Sequence, residues 1–490
     1  MILYSTQKSS PNVSFEEAIF RGLPPDNGLY MPTEIKRLPD SFFDTIQDLS
    51  LVEIAEAVCN NLLGDDLSEA EIKSIITSSM NFEAPLFSLE PGVEILELFH
   101  GPSMAFKDFG ARFMAAVMSH YLVQHRREIR ILVATSGDTG GAVAQGFFNT
   151  PGISVTILYP SGKVSDIQEM QLTTLGGNVE ALEIEGTFDD CQRLVKQSFL
   201  DQQLNNHYRL SSANSINIAR LIPQSFYYVD AFRQLEDKSI PFYYSVPSGN
   251  FGNLTAGLIA KKMGLPVGGF IAATNANDTI PNYLKSGNYS AQETIATISN
   301  AMDVGNPSNY ARMNDFYKSH LAMAEDIVGY TYSDEETRKM MVDTYQNNNY
   351  VLDPHGAVGL LGWKEFSEGK NNVQGIVLET AHPTKFIDVV TDTLHITPEL
   401  PPALKAAIEK KKAKEQRIKF IQGLEEMLYM TSTKAGQPVS NILGLSDLLA
   451  DETLDQVELK EICDFMKESA IQLDEFTTEL TTYIQNLKKQ

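Results

Sequence analysis

Cysteine is scarce: Cys59, Cys191 and Cys463 are the only three in 490 residues, with no CxxC spacing and no even-numbered framework. That argues against a disulfide-stapled secreted fold and makes the reducing cytoplasm the expected compartment. No run of about 18 apolar residues occurs, and the opening MILYSTQKSS lacks a basic region followed by an apolar core, so neither a membrane span nor an export signal is expected. Positive charge is in deficit. The formal net charge of -24 opposes phosphate backbones and anionic bilayers, which argues against nucleic-acid or membrane partners, although a local cluster of amides and cations can still hold a small anion. GxGxxG, GxxxxGK[ST], HExxH and GxSxG are all missing, which removes the main support for a dinucleotide fold, a P-loop NTPase, a zinc hydrolase or a serine nucleophile. No metal site is expected. His100, His355 and His382 stand in or beside glycine-rich loops without acidic companions at metal-ligand spacing, and read as positioning or packed polar groups.

What is present is ordinary globular material, 43% hydrophobic and 21% charged, in a chain long enough for two or three packed units. Residues 1 to 95 mix short helical patterns with turns and read as a small N-terminal α/β unit. From 96 to 398 short β-rich runs (IRILVAT, VTILYP, VEALEIE, FYYSVP, GFIAAT, VQGIVLE) alternate with helical stretches, the signature of βαβ units around a mainly parallel sheet. A boundary falls between residues 398 and 410, and two long helical patterns then occupy the remainder of 399 to 490. The fold class is therefore α/β, with chemistry expected in the loops beyond the carboxyl ends of the strands.

Three of those loops are rich in glycine and small polar residues. In ATSGDTGGA, Ser136 to Gly140 form a turn opening a helix, where backbone amides can face an anion. In VPSGNFGN, Gly249 and Gly252 allow close backbone approach, and Ser248, Asn250 and Asn253 offer hydrogen bonds, so the loop reads as a phosphate cup. In HGPSMAFKDFG, Lys107 sits between Phe106 and Asp108; an aromatic neighbour can desolvate the amine and free it for a Schiff base. Cup and amine together suggest pyridoxal phosphate. A fourth run, VQGIVLETAHPTKF, ends its strand at Thr380, whose hydroxyl could meet a ring nitrogen. Each loop alone is equally a plain strand-to-helix turn, and Lys107 alone a surface lysine.

Taken in order, SFEEAIFRGLPPDNGLYMP, HGPSMAFKDFG, ATSGDTGGA, ANSINIARLIPQ, VPSGNFGN, NAMDVGNPSN and LETAHPTKF resemble the successive motifs of the bacterial and fungal threonine synthase family, over residues 1 to about 398. The resemblance implies fold type II of the pyridoxal-phosphate enzymes, like the tryptophan synthase β chain, with two α/β subdomains around the cofactor. Position by position, it implies that Lys107 forms the cofactor imine and that Ser248, Gly249, Asn250, Phe251, Gly252 and Asn253 surround the cofactor phosphate. It places Thr380 at the pyridine nitrogen, Phe106 and Asp138 beside the cofactor, and Thr135, Ser136 and Thr139 at the substrate amino acid or flanking the ring. Lys163, Asn214, Asn217 and Arg220 are the weaker candidates for the substrate phosphate. The implied reaction takes O-phospho-L-homoserine and water to L-threonine and phosphate. A threonine or serine dehydratase on the same fold, or a non-catalytic scaffold, are the alternatives.

The C-terminal segment departs from that family. STKAGQPVSNILGLSDLL resembles the first dimerisation helix of sensor histidine kinases, with Thr433 where the phosphoacceptor histidine would stand. Leu459, Ile462, Met466, Leu473, Phe476, Leu480 and Tyr483 follow three-four spacing interrupted only by Ser469. A helical hairpin able to form a homodimer is the expectation.

Overall fold

All six runs read as strands form strands in the computed structural model, which describes residues 1–135, 137–164, 166–448 and 455–487. They lie in two largely parallel sheets, and a third, smaller sheet is antiparallel. Strands β1 (Ile2–Ser5), β2 (Val13–Ser14) and β3 (Tyr30–Pro32) make that small sheet, in the order β2-β1-β3. The large sheet collects β4 (Leu86–Glu90), β5 (Val93–Glu97), β10 (Phe242–Pro247), β11 (Gly269–Thr274), β12 (Ile327–Thr331) and β13 (Gln374–Glu379). Its order is β12-β11-β10-β13-β5-β4, and only the β4–β5 pairing is antiparallel. The remaining four, β6 (Ile129–Ala134), β7 (Ile153–Pro160), β8 (Val179–Ile184) and β9 (Leu210–Ser211), form an all-parallel sheet in the order β8-β7-β6-β9.

Contacts divide the chain into two compact units, Met1–Lys405 and Ala406–Gln490. Strands β4 and β5 straddle the expected boundary at residue 95 and belong to the large sheet. Their short, charge-interrupted sequences LFSLE and VEILE carry little strand signal, because pairing with β13 rather than local propensity selects the extended form. Helix starts are locally encoded: Ser50 with Glu53, Ser68 with Glu71 and Ser333 with Glu336 close reciprocal capping boxes.

The core of the first unit reaches the candidate site through aromatic residues. Phe109, on the Lys107–His125 helix, meets Tyr227 edge to face at 5.2 Å between ring centroids. Tyr244 of β10 donates its hydroxyl to the Tyr228 carbonyl at 2.5 Å, and Tyr228 donates to the Asn253 carbonyl at 2.9 Å. Buried phenols without partners would cost about 1–3 kcal/mol each, so these bonds fix the strand, the Gln224–Gln234 helix and the glycine loop together.

The second unit is a helical hairpin. Pro402–Met430, a wider turn over Thr431–Ala435 and Gly436–Leu448 run on as one arm, and Gln456–Leu487 returns along it. Tyr483 bonds to Glu426, and Lys434 pairs with Glu479 at 2.8 Å. Ile462, Ser469 and Phe476 are buried, and Met466, Leu473, Leu480 and Tyr483 half-buried, so from Ile462 on the apolar stripe is the face turned inward within the hairpin, while Leu459 at its start is exposed. Among the described residues no helix is long and apolar enough to cross a membrane.

Candidate active site

Lys107 opens the Lys107–His125 helix directly after a loop that pairs with the end of β13. The Phe106 N–H donates to the Thr380 carbonyl at 2.9 Å, and the His382 N–H to the Met104 carbonyl at 3.0 Å, with Ala105 bridged to Ala381. The lysine and the threonine hydroxyl are thereby placed on two paired segments. Lys107 Nζ lies 5.9 Å from the centre of the Phe106 ring, within cation–π range.

Asp108, fully buried, accepts the Ser103 N–H at 2.8 Å through Oδ2, while Oδ1 has no partner. Burial pushes its carboxyl up to about 6 from 3.8. A raised acid pKa means that the folded protein binds this proton more tightly than the unfolded chain does, so stability falls as pH rises from about 4 to about 6 and stays lower above that. In urea unfolding, Asp108→Asn should therefore gain about 2–3 kcal/mol relative to the parent between about pH 4 and pH 7. A difference that does not vary with pH would show that Asp108 is ionised throughout.

The second element is the loop after β10. Ser248 donates to Asn253 Oδ1 at 2.8 Å, Asn253 donates to the Pro247 carbonyl at 2.9 Å, and Phe251 takes a left-handed φ of 60° to start the Gly252–Lys262 helix. The first-turn N–H groups of such a helix lack partners within it and face outward to an anion. Asn250 ties the loop to two other motifs, donating to Ser215 Oγ at 3.1 Å and accepting the Ser308 N–H at 2.6 Å. Asn309 donates to the Asn250 carbonyl at 3.0 Å. Fully buried Arg312, lowered to about 9 by burial, donates to Asn309 and to the Tyr30 and Ile216 carbonyls. Segments of four motifs thus meet at one cup.

In the loop after β6, Thr135 turns its hydroxyl inward to accept the Gly137 and Gly140 N–H groups at 3.1 and 2.8 Å. Thr139 is half-buried on the Asp138–Gly146 helix, and Ser136 and the Asp138 side chain lie outside the described residues. Of the four candidates for the substrate phosphate, Lys163 is exposed and Asn214 half-buried. Asn217 donates to the Ile19 carbonyl at 2.8 Å, and buried Arg220 donates to the Ala213 carbonyl at 2.6 Å through Nη1 while its Nε is buried without a partner. His382, lowered to about 4 mainly by burial, is neutral and bonds to Thr384 at 2.7 Å.

Several residues were not singled out by the sequence. Ser103, Gln171 and Lys385 are buried beside the Lys107 loop: Lys385 Nζ donates to the Ser103 carbonyl at 2.8 Å and Gln171 Nε2 to the same oxygen at 3.2 Å. Lys385 stands in the HPTKF run and Asn309 in GNPSN, so position within a motif was the available signal. Lys385, Gln168, Thr297 and Asn300 line a cleft of about 390 Å³. Ser103 Oγ and Gln171 Oε1 are buried without partners, a state that calls for a polar ligand. A Cβ on Gly249 would stand 2.6 Å from Met302 Cα, so only glycine leaves the cup its shape. Amine, cup and orphaned polar atoms fit pyridoxal phosphate. Among the described residues no group of three or more His, Cys, Asp or Glu side chains could hold a metal ion.

The chain is similar to known proteins along most of its length. A family described as pyridoxal-phosphate dependent enzyme matches residues 83–377, threonine synthase N terminus matches 3–80, and threonine synthase, C-terminal, matches 356–426. The chain is 44% identical over 405 residues to threonine synthase of Haemophilus influenzae, covering 82% of this chain and 94% of that one. The crystal structure of threonine synthase from Escherichia coli superposes with a TM-score of 0.77 at 41% identity, covering 83% of this chain and 94% of that one. A pyridoxal-phosphate-bound threonine synthase from Brucella melitensis does so with a TM-score of 0.80 at 34% identity, covering 84% and 94%.

Proposed function

This chain belongs to the threonine synthase family, and from that premise we propose that it converts O-phospho-L-homoserine and water into L-threonine and phosphate at the Lys107 site. Pyridoxal phosphate is its cofactor. The observation that carries the reading is the pairing of the Lys107 loop with the Thr380 strand end, beside a cup closed by the family's own motifs.

When bound, the cofactor withdraws electrons from the substrate amino acid and so acidifies its Cα and Cβ hydrogens. The Lys107 amine, displaced by the substrate amino group, would take a proton from Cα and then one from Cβ, and deliver protons to Cγ and back to Cα. The Cγ–O bond breaks, phosphate leaves, Cγ gains a proton, and water adds its hydroxyl to Cβ. Thr380 would present a neutral hydroxyl to the ring nitrogen, where a carboxylate would hold a proton on it. Ser248, Gly249, Asn250, Phe251, Gly252 and Asn253 hold the cofactor phosphate, with Phe106 and Asp138 beside the ring and Thr135, Ser136 and Thr139 shaping the substrate side. Lys163, Asn214, Asn217 and Arg220 are the candidates for the substrate phosphate, and the partnerless buried Arg220 Nε supports the last of them. Incubation with O-phospho-L-homoserine should release threonine and phosphate in equal amounts. Phosphate without threonine would refute this reading, and turnover of threonine or serine to a keto acid alone would transfer the chain to the dehydratases.

None of the three cysteines is in a disulfide, and two of them are buried, which supports a cytoplasmic enzyme. For the tail we propose self-association, in keeping with its likeness to a kinase dimerisation segment that lacks the phosphoacceptor: Thr433 instead donates to the Tyr429 carbonyl at 2.6 Å. From Ile462 to Tyr483 the stripe is spent inside the hairpin, so pairing uses the other face. Ile421, Leu424, Leu428, Val439 and Leu443 are exposed there at three-four spacing across the intervening turn. A second copy is the natural cover, because a two-fold axis sets one apolar line against its equal in a four-helix bundle. Ending the chain after Met430 should convert a dimer to a monomer in light scattering while threonine formation persists. Equal masses for both proteins would refute self-association through these helices.

A further inference from the structure

Behind the Thr380 strand end lies a buried group that the reaction does not use. Asp353, His355 and Glu379 are each at most 2% exposed. The Asp353 carboxylate collects three N–H groups: the His355 backbone at 2.6 Å, His355 Nδ1 at 2.5 Å and the Ala381 backbone at 3.2 Å. His355 Nε2 is met by the Ala301 N–H at 3.2 Å, so this nitrogen is the acceptor and the ring proton sits on Nδ1, directed at Asp353. Glu379 accepts the Asp353 N–H at 2.6 Å, and burial together with Asp353 pushes its carboxyl well up. The space is fully taken: a Cβ on Gly356 would overlap Glu379 Oε2, and the Phe386 ring closes on His355 at 4.9 Å between centroids.

The donors come from two separate parts of the site. Ala381 follows Thr380, whose carbonyl holds the Phe106 N–H next to Lys107. Ala301 precedes Met302, whose backbone backs Gly249 in the cup. The Asp353–His355 pair is thus one hydrogen-bonded link between the ring-nitrogen end and the phosphate end of the cofactor seat. A rigid ligand held at both ends requires these to stay within about half an ångström of their relation.

We propose that Asp353 and His355 are positioning residues that hold Thr380 and Gly249 in a fixed relation across the cofactor; the inference rests on the reading of those two residues as opposite ends of the seat. Neither side chain takes part in bond making. Their effect passes through Ala381 and Ala301.

Three variants test this, with cofactor dissociation constants from equilibrium dialysis, the visible spectrum of the reconstituted protein, and urea unfolding of each apo-protein. His355→Asn keeps a donor for Asp353 but strands the Ala301 N–H, and should weaken cofactor binding about tenfold with the spectrum unchanged. His355→Gln keeps an acceptor for Ala301 but removes the Nδ1 donor to Asp353, breaking the link at its other end, and should weaken cofactor binding to a similar extent with the spectrum unchanged. Asp353→Asn turns an amide toward donors on the Thr380 side, and should shift the bound absorbance and lower kcat about tenfold with KM retained. Parental affinity in either His355 variant, or weakened affinity that merely follows a loss of apo-protein stability in urea, would overturn the link. If Asp353→Asn does not fold, the His355 pair decides alone. A parent that binds cofactor but forms no threonine would refute the proposed reaction and leave this comparison readable.

Discussion

Lys107→Ala should abolish the visible absorbance of the lysine-linked cofactor and lower threonine formation by at least about 10³-fold, since one amine serves both as covalent tether and as the group moving protons. The fold should survive. Lys107 is the first residue of a helix whose buried face is carried by Phe109, Phe113, Met114 and Val117, and alanine is at least as good a helix former as lysine. The pairing of Phe106 with Thr380 runs through main chain and does not need the side chain. Cofactor should therefore still bind, more weakly, through the phosphate cup. Partial recovery of turnover by an added small primary amine would separate loss of the proton carrier from loss of structure. Full activity in Lys107→Ala would refute the assignment of this lysine.

The six β-rich runs were legible because each is a short stretch carrying β-branched or aromatic residues between helical stretches, and that signal is local. Strands β4, β5 and β12 were not, because LFSLE, VEILE and IVGYT owe their extended form to partners more than 25 residues away in the chain, or, for β4, to an edge position beside β5. The loops were legible as cups through an equally local signal, glycine beside small polar residues. What they hold together was hidden. Arg312 draws Tyr30, Ile216 and Asn309 into contact across nearly 300 residues, and no spacing rule relates those positions. Arg220 shows the converse: its donors suit a phosphate in sequence, yet burial directs one to a main-chain carbonyl. The tail's stripe was legible as a packing face, but periodicity alone does not say which chain supplies the other side.

Gly249 and Gly252 both read as sites of close approach, and their surroundings predict different failures. A methyl on Gly249 would stand 2.6 Å from Met302 Cα and 2.8 Å from its carbonyl oxygen, atoms of main chain that give way only if the Asn300–Met302 turn moves. That turn is held by the His355 contact to Ala301, so the strain falls on the cup as well. Gly249→Ala should lower apo-protein stability by about 2–3 kcal/mol and cofactor affinity by roughly 30- to 100-fold. On Gly252 the same methyl meets only the Asn309 amide, at 3.4 Å, which a small side-chain rotation relieves. Gly252→Ala should leave urea unfolding of the apo-protein unchanged and still weaken the cofactor about tenfold, because the added carbon stands at the helix start that the phosphate approaches. Titrating pyridoxal phosphate into both apo-variants decides the matter. Parental affinity in Gly252→Ala would remove the phosphate from this helix start, and parental stability in Gly249→Ala would mean that the turn at Met302 yields without cost.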